Sequence, residues 1–454
     1  MKKYNLAIIG AGSAGLSAAD VSSQLGLRGV VLIEKEEKLG GECLHSGCVP
    51  SKALIHAAHT FNGDAKKAWA HVRASIDAIE HRSDNIVHVK KSGVDVLQGE
   101  VTFLKKRILK VGSEVIRARS IIVATGSSPS IPPIPGLATV PYLTNETFFS
   151  QQSLPKSIVI IGGGPIGCEL AGALASLKVL VTLIQSADRL LPRETPEVSE
   201  LIATSLREKG VTLLLGAETA SVDKTAAGIA VKVKGKRQAI EAQKILVAAG
   251  RTPRTTGFGL EHIGVKTTQM GIVTDKYLRT NRKHIYAAGD VTTSPKFTHL
   301  AAQQAGLAVR NILSGPFRTS ISSLSEIPAI TFTDPEVARI GLDSVAAIAQ
   351  GYIVERLDYM EIDRAITDKQ TGFIDVAVNA KGLIVGATVV GAHASEILAP
   401  LLVAMRHKVP LSKLATTMFP YPTLASGVNI LASRYATKKA ASGAALSVIR
   451  RFWK

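Results

Sequence analysis

A strand that runs into a glycine-rich turn and out into a helix occurs twice in this sequence, first at Gly10 and again at Gly162. The first copy reads as a strand over Leu6–Ile9, then Gly10-Ala11-Gly12-Ser13-Ala14-Gly15, then an alanine-rich helix. A second strand over Gly29–Ile33 follows and is closed by Glu34. Gly10, Gly12 and Gly15 permit the tight turn and let the backbone approach a pyrophosphate. The helix N-terminus offers N–H donors and the positive end of a dipole. Glu34 stands where an acid accepts hydrogen bonds from ribose hydroxyls. Alone the glycine spacing is a weak signal; between a strand and a helix, with an acid closing the next strand, it is specific.

The second copy runs from a strand over Ser157–Ile161 through Gly162-Gly163-Gly164-Pro165-Ile166-Gly167 into a helix and a strand over Val179–Ile184. Gly162, Gly164 and Gly167 hold the motif positions, and Gln185 replaces the acid. Two units predict two dinucleotides, FAD paired with NADPH or NADH. An acid would repel a 2′-phosphate; Gln185 does not, and Arg189 and Arg193 follow, so the reading leans to NADPH.

With 454 residues the chain exceeds one core, and about three domains are expected. A hydrophobic fraction of 46% with 20% charged residues indicates an ordered globular protein. Ile121–Gly126 reads as a strand ending in the turn Ala124-Thr125-Gly126. Ile245–Gly250, leading into Arg251-Thr252-Pro253, is the matching exit from the second unit. A strand at Ile285 ends in Asp290, placed to bind a sugar-like chain of hydroxyls. From about Glu326 the texture turns strand-rich, then helical.

The opening Met1-Lys2-Lys3-Tyr4 lacks the pattern of a signal peptide. Ile158–Leu177 carries Glu169 and a glycine cluster, so it reads as a buried strand–turn–helix rather than a membrane span. A cytoplasmic location is expected. The net charge of +18 attracts phosphorylated ligands and aids solubility. No recognised nucleic-acid module occurs, so no nucleic-acid partner is expected. Arg434, Lys438, Lys439, Arg450, Arg451 and Lys454 make a basic C-terminal tail, with Leu446, Ile449 and Trp453 at helical spacing. Such a tail suits weak contact with an anionic membrane surface, although a solvated helix end or a dimer contact is the plainer reading.

Three cysteines are too few for a secreted disulfide framework. Cys43 and Cys48 lie within Gly40-Gly41-Glu42-Cys43-Leu44-His45-Ser46-Gly47-Cys48-Val49-Pro50-Ser51-Lys52. Adjacent turns of a distorted helix would bring their Cα atoms within the roughly 4.4–6.8 Å of a disulfide. Lys52–His59 reads as helix, which puts Cys48 in its first turns, where a thiolate is favoured. A redox-active pair is the preferred reading over a structural disulfide or a metal site. His45, His56 and His59 do not complete a convincing ligand set, and no resident metal is predicted. Cys168 reads as a buried small residue.

The chain resembles the class I pyridine nucleotide-disulfide oxidoreductases, the FAD-dependent group of dihydrolipoamide dehydrogenase, glutathione reductase and mercuric reductase. The likeness runs end to end. It rests on the cysteine stretch, both glycine motifs, Ala124-Thr125-Gly126, Gly250-Arg251-Thr252-Pro253 and Ala288-Gly289-Asp290. It continues through Phe332-Thr333-Asp334-Pro335-Glu336 and Gly391-Ala392-His393-Ala394-Ser395-Glu396. The resemblance implies an α/β fold: two Rossmann-like dinucleotide-binding domains, for FAD and NAD(P), plus a C-terminal α+β dimerisation domain. The expected spans are 1–145 with 276–325 for FAD, 146–275 for NAD(P) and 326–454 for a homodimer interface that completes each active site. Further implications are that Cys48 faces the flavin as a thiolate and Cys43 exchanges with the acceptor. Lys52 would sit near the flavin paired with Glu169, and Asp290 would bind the ribityl chain. Gly41, Ala124, Thr125, Gly126, Gly250 and Arg251 would join the cofactor contacts.

The sequence departs from the disulfide-reducing members at one functional place. Those carry a His-x-x-x-x-Glu dyad near the C-terminus. Here Phe419-Pro420-Tyr421-Pro422-Thr423-Leu424-Ala425-Ser426 puts Tyr421 at the His position and Ser426 at the Glu position. Thiolate release from a disulfide substrate needs a proton donor near neutrality, and tyrosine titrates near 10. The replacement resembles mercuric reductases, whose acceptor is a soft metal ion held by thiolates. No vicinal Cys-Cys pair of the kind mercuric reductases carry occurs in this sequence. The expected function is an NAD(P)H oxidoreductase passing electrons through flavin and Cys43/Cys48 to a metal ion or another small oxidant. The alternatives are a dihydrolipoamide dehydrogenase-like enzyme using Tyr421 or His299 as proton donor, and a membrane-associated flavoprotein electron donor.

Overall fold

The computed structural model describes residues 1–61, 63–226, 228–321 and 326–441. The chain divides into two compact units, Met1–Ile184 with Ala217–Ser322, and Gln185–Gly216 with Ser323–Lys454.

The first unit opens with β1 (Lys2–Ile9), α1 (Ser13–Gln24) and β2 (Val30–Glu34). Helices α2 (Gly41–His45) and α3 (Cys48–Thr60) follow, then strands β3 (Asp95–Gln98), β4 (Val101–Lys105), β5 (Ile108–Val111) and β6 (Glu114–Val123). The sheet order is β3-β2-β1-β6-β5-β4. β1 runs parallel to β2, Leu6 opposite Val30, and to β6, Ile9 opposite Val123. Leu6, Ala7, Ile8, Val31 and Leu32 are fully buried. Both faces of these strands are therefore covered, which is why they read as unbroken apolar runs. Each buried Leu or Ile contributes roughly 1.5–3 kcal/mol. β1 starts at Lys2, before the expected Leu6, because the long β6 offers Ile116, Arg117 and Ala118 as partners to Lys2, Lys3 and Tyr4.

Next come β7 (Ser127–Pro129), β8 (Ser157–Ile161), α4 (Pro165–Ser176) and β9 (Leu180–Ile184). A meander of β10 (Thr219–Thr225), β11 (Gly228–Val233) and β12 (Ile240–Ala242) leads to β13 (Lys244–Val247) and β14 (Arg251–Pro253). β8 lies parallel to β9 on one side and β13 on the other, repeating the plan of the first glycine unit. β14 turns back to pair antiparallel with β7, Arg251 opposite Pro129. β15 (Ile285–Ala287) joins β6 in parallel and feeds α5 (Thr298–Leu313). The stretch Ile158–Leu177 is thus strand, turn and helix as expected, and no helix of the described residues is long and apolar enough to cross a membrane.

The second unit contains an antiparallel sheet of β16 (Ala329–Thr331), β17 (Glu336–Gly341), β18 (Ile353–Asp358), β19 (Phe373–Val378) and β20 (Ile384–Gly391), in the order β16-β17-β20-β19-β18. Helices α6 (Ala394–Arg406) and α7 (Ser426–Ala441) pack into the same core as Tyr359, Ile374, Val389 and Leu401. The helix Pro196–Glu208 belongs to this unit too. Arg339–Glu194 at 2.9 Å, Arg356–Glu197 at 2.8 Å and Lys209–Asp334 at 3.0 Å tie its segment to the sheet. In the basic C-terminal stretch Arg434 pairs with Glu361 and Lys438 with Glu355, so these cations have partners inside the unit. Arg450, Arg451, Lys454, Leu446, Ile449 and Trp453 lie outside the described residues.

Candidate active site

The cysteine stretch folds as two short helices, not as one distorted helix. α2 carries Cys43 at its third position and α3 begins at Cys48. Between them Gly47 leaves helical backbone, at φ −122° and ψ −114°. A side chain on Gly47 would stand 3.0 Å from the Glu42 carbonyl oxygen, so glycine lets the chain reverse there. Cys43 and Cys48 stand as a dithiol, with Cys48 exposed and Cys43 half-buried.

The side chain of Thr298 bridges the two sulfurs. Its hydroxyl lies 3.3 Å from the Cys48 sulfur and 3.5 Å from the Cys43 sulfur. Cys48 is pulled below the ordinary thiol range, to about 6, first by the hydrogen bond from Cys43 and then by Thr298 and the Lys52 charge, against the opposing effect of burial. Cys43 is pushed up by that same bond and by burial. The pair therefore keeps one proton on Cys43 and a thiolate on Cys48. A helix N-terminus stabilises negative charge, and Cys48 occupies that place in α3.

Lys52, one turn along α3, donates to Glu169 of α4 at 2.7 Å. Glu169 is buried, so the structure brings these two predicted residues together across 117 positions. Cys168, its neighbour, is fully buried with its sulfur 3.4 Å from the Gly163 carbonyl, and burial pushes its thiol up, as an inert core residue requires. His45 bonds the Leu39 carbonyl at 2.6 Å, and the His56 ring lies 5.4 Å from that of His71, tilted by 42°. Among the described residues no group of His, Cys, Asp and Glu is arranged to hold a metal.

The glycine loops fit dinucleotides. Gly10 has φ +100°, and a side chain there would collide with the Ala124 carbonyl oxygen at 2.5 Å. At Gly15 the clash would be with the Gly10 carbonyl. Neither α1 nor α4 has a side-chain cap at its N-terminus, where Gly12 and Gly164 stand, so the first-turn N–H groups remain for an anion. Gly162 and Gly167 repeat the geometry of Gly10 and Gly15 against the Ala248 and Gly162 carbonyls. Gly41, at φ +59°, faces Gly12 so closely that a side chain would meet its Cα at 2.6 Å. The Glu34 carboxylate accepts from the backbone N–H of Ala11 at 2.6 Å, Lys35 at 2.8 Å and Glu36 at 3.1 Å. One carboxylate accepts about four hydrogen bonds. Thus Glu34 fixes the loop and keeps capacity for a ribose hydroxyl.

Asp290 accepts from the Ser127 hydroxyl at 2.7 Å and lies 3.8 Å from Arg251 Nε. Arg251 in turn grips both carboxylate oxygens of Glu42. Thr125 donates to the Arg254 carbonyl at 2.8 Å, Gly126 turns at φ +70°, and Gly250 at φ +126° accepts from Ser130 N–H. Cofactor-loop, cysteine and β14 residues thus meet in one network. Gln185 follows β9 and donates its N–H to the Leu214 carbonyl. Tyr421 lies in the second unit, 75% exposed, its hydroxyl 2.9 Å from Asp363, which pushes the phenol further above its ordinary value. Ser426 donates to the Thr423 carbonyl at 2.6 Å and opens α7.

Thr298, Glu42, Asn145 and Ser127 are the site residues that sequence reasoning did not single out. Thr298 lies 250 positions from Cys48, and no local pattern marks it. Glu42 did carry a signal: a charged residue directly before a redox cysteine calls for a counter-charge.

A family model described as pyridine nucleotide-disulphide oxidoreductase matches residues 4–305, and a second, its dimerisation domain, matches 327–432. The mercuric reductase of Staphylococcus aureus is 34% identical over 452 residues, covering 94% of this chain and 82% of that protein. The dihydrolipoyl dehydrogenase of Bacillus subtilis is 32% identical over 444 residues, covering 92% and 93%. Among solved structures, the Cu(II) complex of the HOCl-induced flavoprotein disulfide reductase RclA from Escherichia coli superposes with a TM-score of 0.88. It is 28% identical and covers 95% of this chain and 99% of its own.

Proposed function

The chain belongs to the pyridine nucleotide-disulphide oxidoreductase family, and on that premise we propose that it passes electrons from NADPH through Cys48 and Cys43 to a thiophilic metal ion. As a family member it is an NAD(P)H-dependent flavoprotein oxidoreductase that uses FAD and carries a dimerisation domain. The observation behind the acceptor is the contrast between a poised dithiol and Tyr421, a poor proton donor tied to Asp363.

Bound FAD would take the electrons of the nicotinamide and deliver them to the disulfide. The chain's own residues set the rest. The Gly10–Gly15 loop and the α1 N-terminus would hold the pyrophosphate, with Glu34 on a ribose and Asp290 on the sugar chain. Gly162, Gly164 and Gly167 would cradle the nicotinamide dinucleotide, and Gln185 would tolerate its 2′-phosphate. Lys52 places a cation beside the Cys48 thiolate, oriented by Glu169. Cys43, holding its proton until needed, would meet the acceptor. Metal binding by both sulfurs releases that proton and requires no histidine. Spans 1–145 with 276–325, 146–275 and 326–454 would serve as FAD, NAD(P) and homodimerisation regions.

An acceptor screen on purified protein tests this, following NADPH and NADH oxidation against Hg(II), Cu(II), lipoamide, glutathione disulfide, quinones and oxygen. Turnover should be highest with a thiophilic ion; a preference for lipoamide would overturn the reading. The lowered Cys48 value adds a second expectation. A depressed thiol is charged above its pKa, so the long-wavelength charge-transfer absorbance of anaerobically reduced protein should persist at neutral pH. It should fade as the pH falls through about 6. A spectrophotometric titration with its midpoint near 8 or higher would contradict the geometry.

A further inference from the structure

Helix α2 has five residues, too few to be stable on its own, and it ends at the break before Gly47. While a disulfide joins Cys43 to Cys48, the covalent bond holds α2 against α3. In the dithiol that restraint is gone, and something else must keep Cys43 within reach of its partner.

The structure points to one clamp. The Glu42 carboxylate, directly before Cys43, takes both terminal nitrogens of Arg251 and the Asn145 amide at 2.6 Å. The same Asn145 amide reaches the Ser46 carbonyl at 3.3 Å, at the other end of α2. Arg251 is held in its turn, its Nε 2.8 Å from the Ser127 hydroxyl and its Nη2 3.0 Å from the Ser127 carbonyl. Ser127 donates onward to Asp290. Glu42 and Arg251 have side chains only 24% and 14% exposed, so neither wanders freely in solvent. A bidentate Arg–carboxylate pair fixes orientation as well as distance.

We propose that Glu42, gripped by Arg251 and Asn145, is a positioning residue that holds Cys43 against Cys48 in the reduced protein and thereby sets the potential of the dithiol. This rests on the redox role of the pair proposed above. Reduction breaks the Cys43–Cys48 bond, takes up two electrons and one proton, and leaves a thiol on Cys43 and a thiolate on Cys48. Ring closure back to the disulfide depends on the effective concentration of one sulfur at the other. Loosening α2 lowers it, so the disulfide becomes easier to reduce.

The test is a redox titration of the FAD-loaded protein in mixtures of dithiothreitol and its cyclic disulfide, with thiols counted by alkylation and mass spectrometry. Dithiothreitol supplies the two electrons and becomes the disulfide. Glu42→Ala should shift the disulfide-to-dithiol ratio at least tenfold toward dithiol, a rise of about 30 mV for a two-electron couple. Parent and variant are compared per bound FAD, and Glu42→Asp should recover part of the shift. Asn145→Ala, which keeps the ion pair and loses the bridge to Ser46, should move the potential the same way and decides the matter if Glu42→Ala does not fold. An unmoved potential in a variant that retains FAD overturns the inference. Absence of any Cys43–Cys48 couple in the parent protein would instead remove the underlying functional reading.

Discussion

Cys48→Ser should abolish the charge-transfer absorbance on anaerobic reduction with NADPH and cut acceptor turnover by roughly three orders of magnitude. A serine hydroxyl does not ionise near neutrality, so the interactions that Thr298, Lys52 and the α3 N-terminus make with a thiolate have nothing to act on. Flavin reduction itself should continue, since the glycine loops and the Lys52–Glu169 pair remain. Cys43→Ser should behave differently. It blocks the disulfide and leaves Cys48 present with its Thr298 contact. The protein as isolated should then show a charge-transfer band without added reductant. Stopped-flow spectra of both variants measure this. A band that survives Cys48→Ser would reassign the roles of the two sulfurs.

The second large effect concerns the acceptor. Lipoamide turnover should be low in the parent protein and should rise by roughly 10²-fold in the double variant Tyr421→His, Ser426→Glu. A histidine brings a proton donor with a pKa near 6.5, and a carboxylate five residues on would orient it. Tyr421 lacks this capacity twice over: a phenol titrates high, and Asp363 pushes it higher by accepting its hydrogen bond. Steady-state assays with lipoamide and Hg(II) as competing acceptors report the change. If the parent already reduces lipoamide as fast as any metal ion, Tyr421 or another group is donating the proton and the metal reading falls.

The parts of this protein that repeat a local pattern were legible in the sequence. Both glycine units, the strands that lead to Ala124 and Asp290, and the start of α3 near Cys48 follow from short-range spacing and backbone sterics. Strand ends were less so, because pairing decides them: β1 reaches back to Lys2 only because β6 is long enough to receive it. Gly47 was visible, but not the non-helical backbone by which it separates two helices instead of bending one. The network around the thiols was the least legible. Thr298, Asn145 and Ser127 are ordinary residue types, brought in from 250, 103 and 163 positions away from Cys48, Glu42 and Asp290. Sequence spacing carries no record of such meetings.

The contact between Gly41 and Gly12 bears on how such a protein would decay. The two glycines are constrained unequally. Gly41 is fixed by its left-handed backbone and by the chain packed 2.6 Å from where its side chain would start. A side chain on Gly12 would find nothing nearer than 3.9 Å, so protein packing alone does not forbid one; what does is the approach of a dinucleotide. A descendant that abandoned its cofactor would therefore be free to drift at Gly12 while still bound to keep Gly41. Retention of the one and loss of the other would be the molecular fossil of a flavoprotein that had become a scaffold.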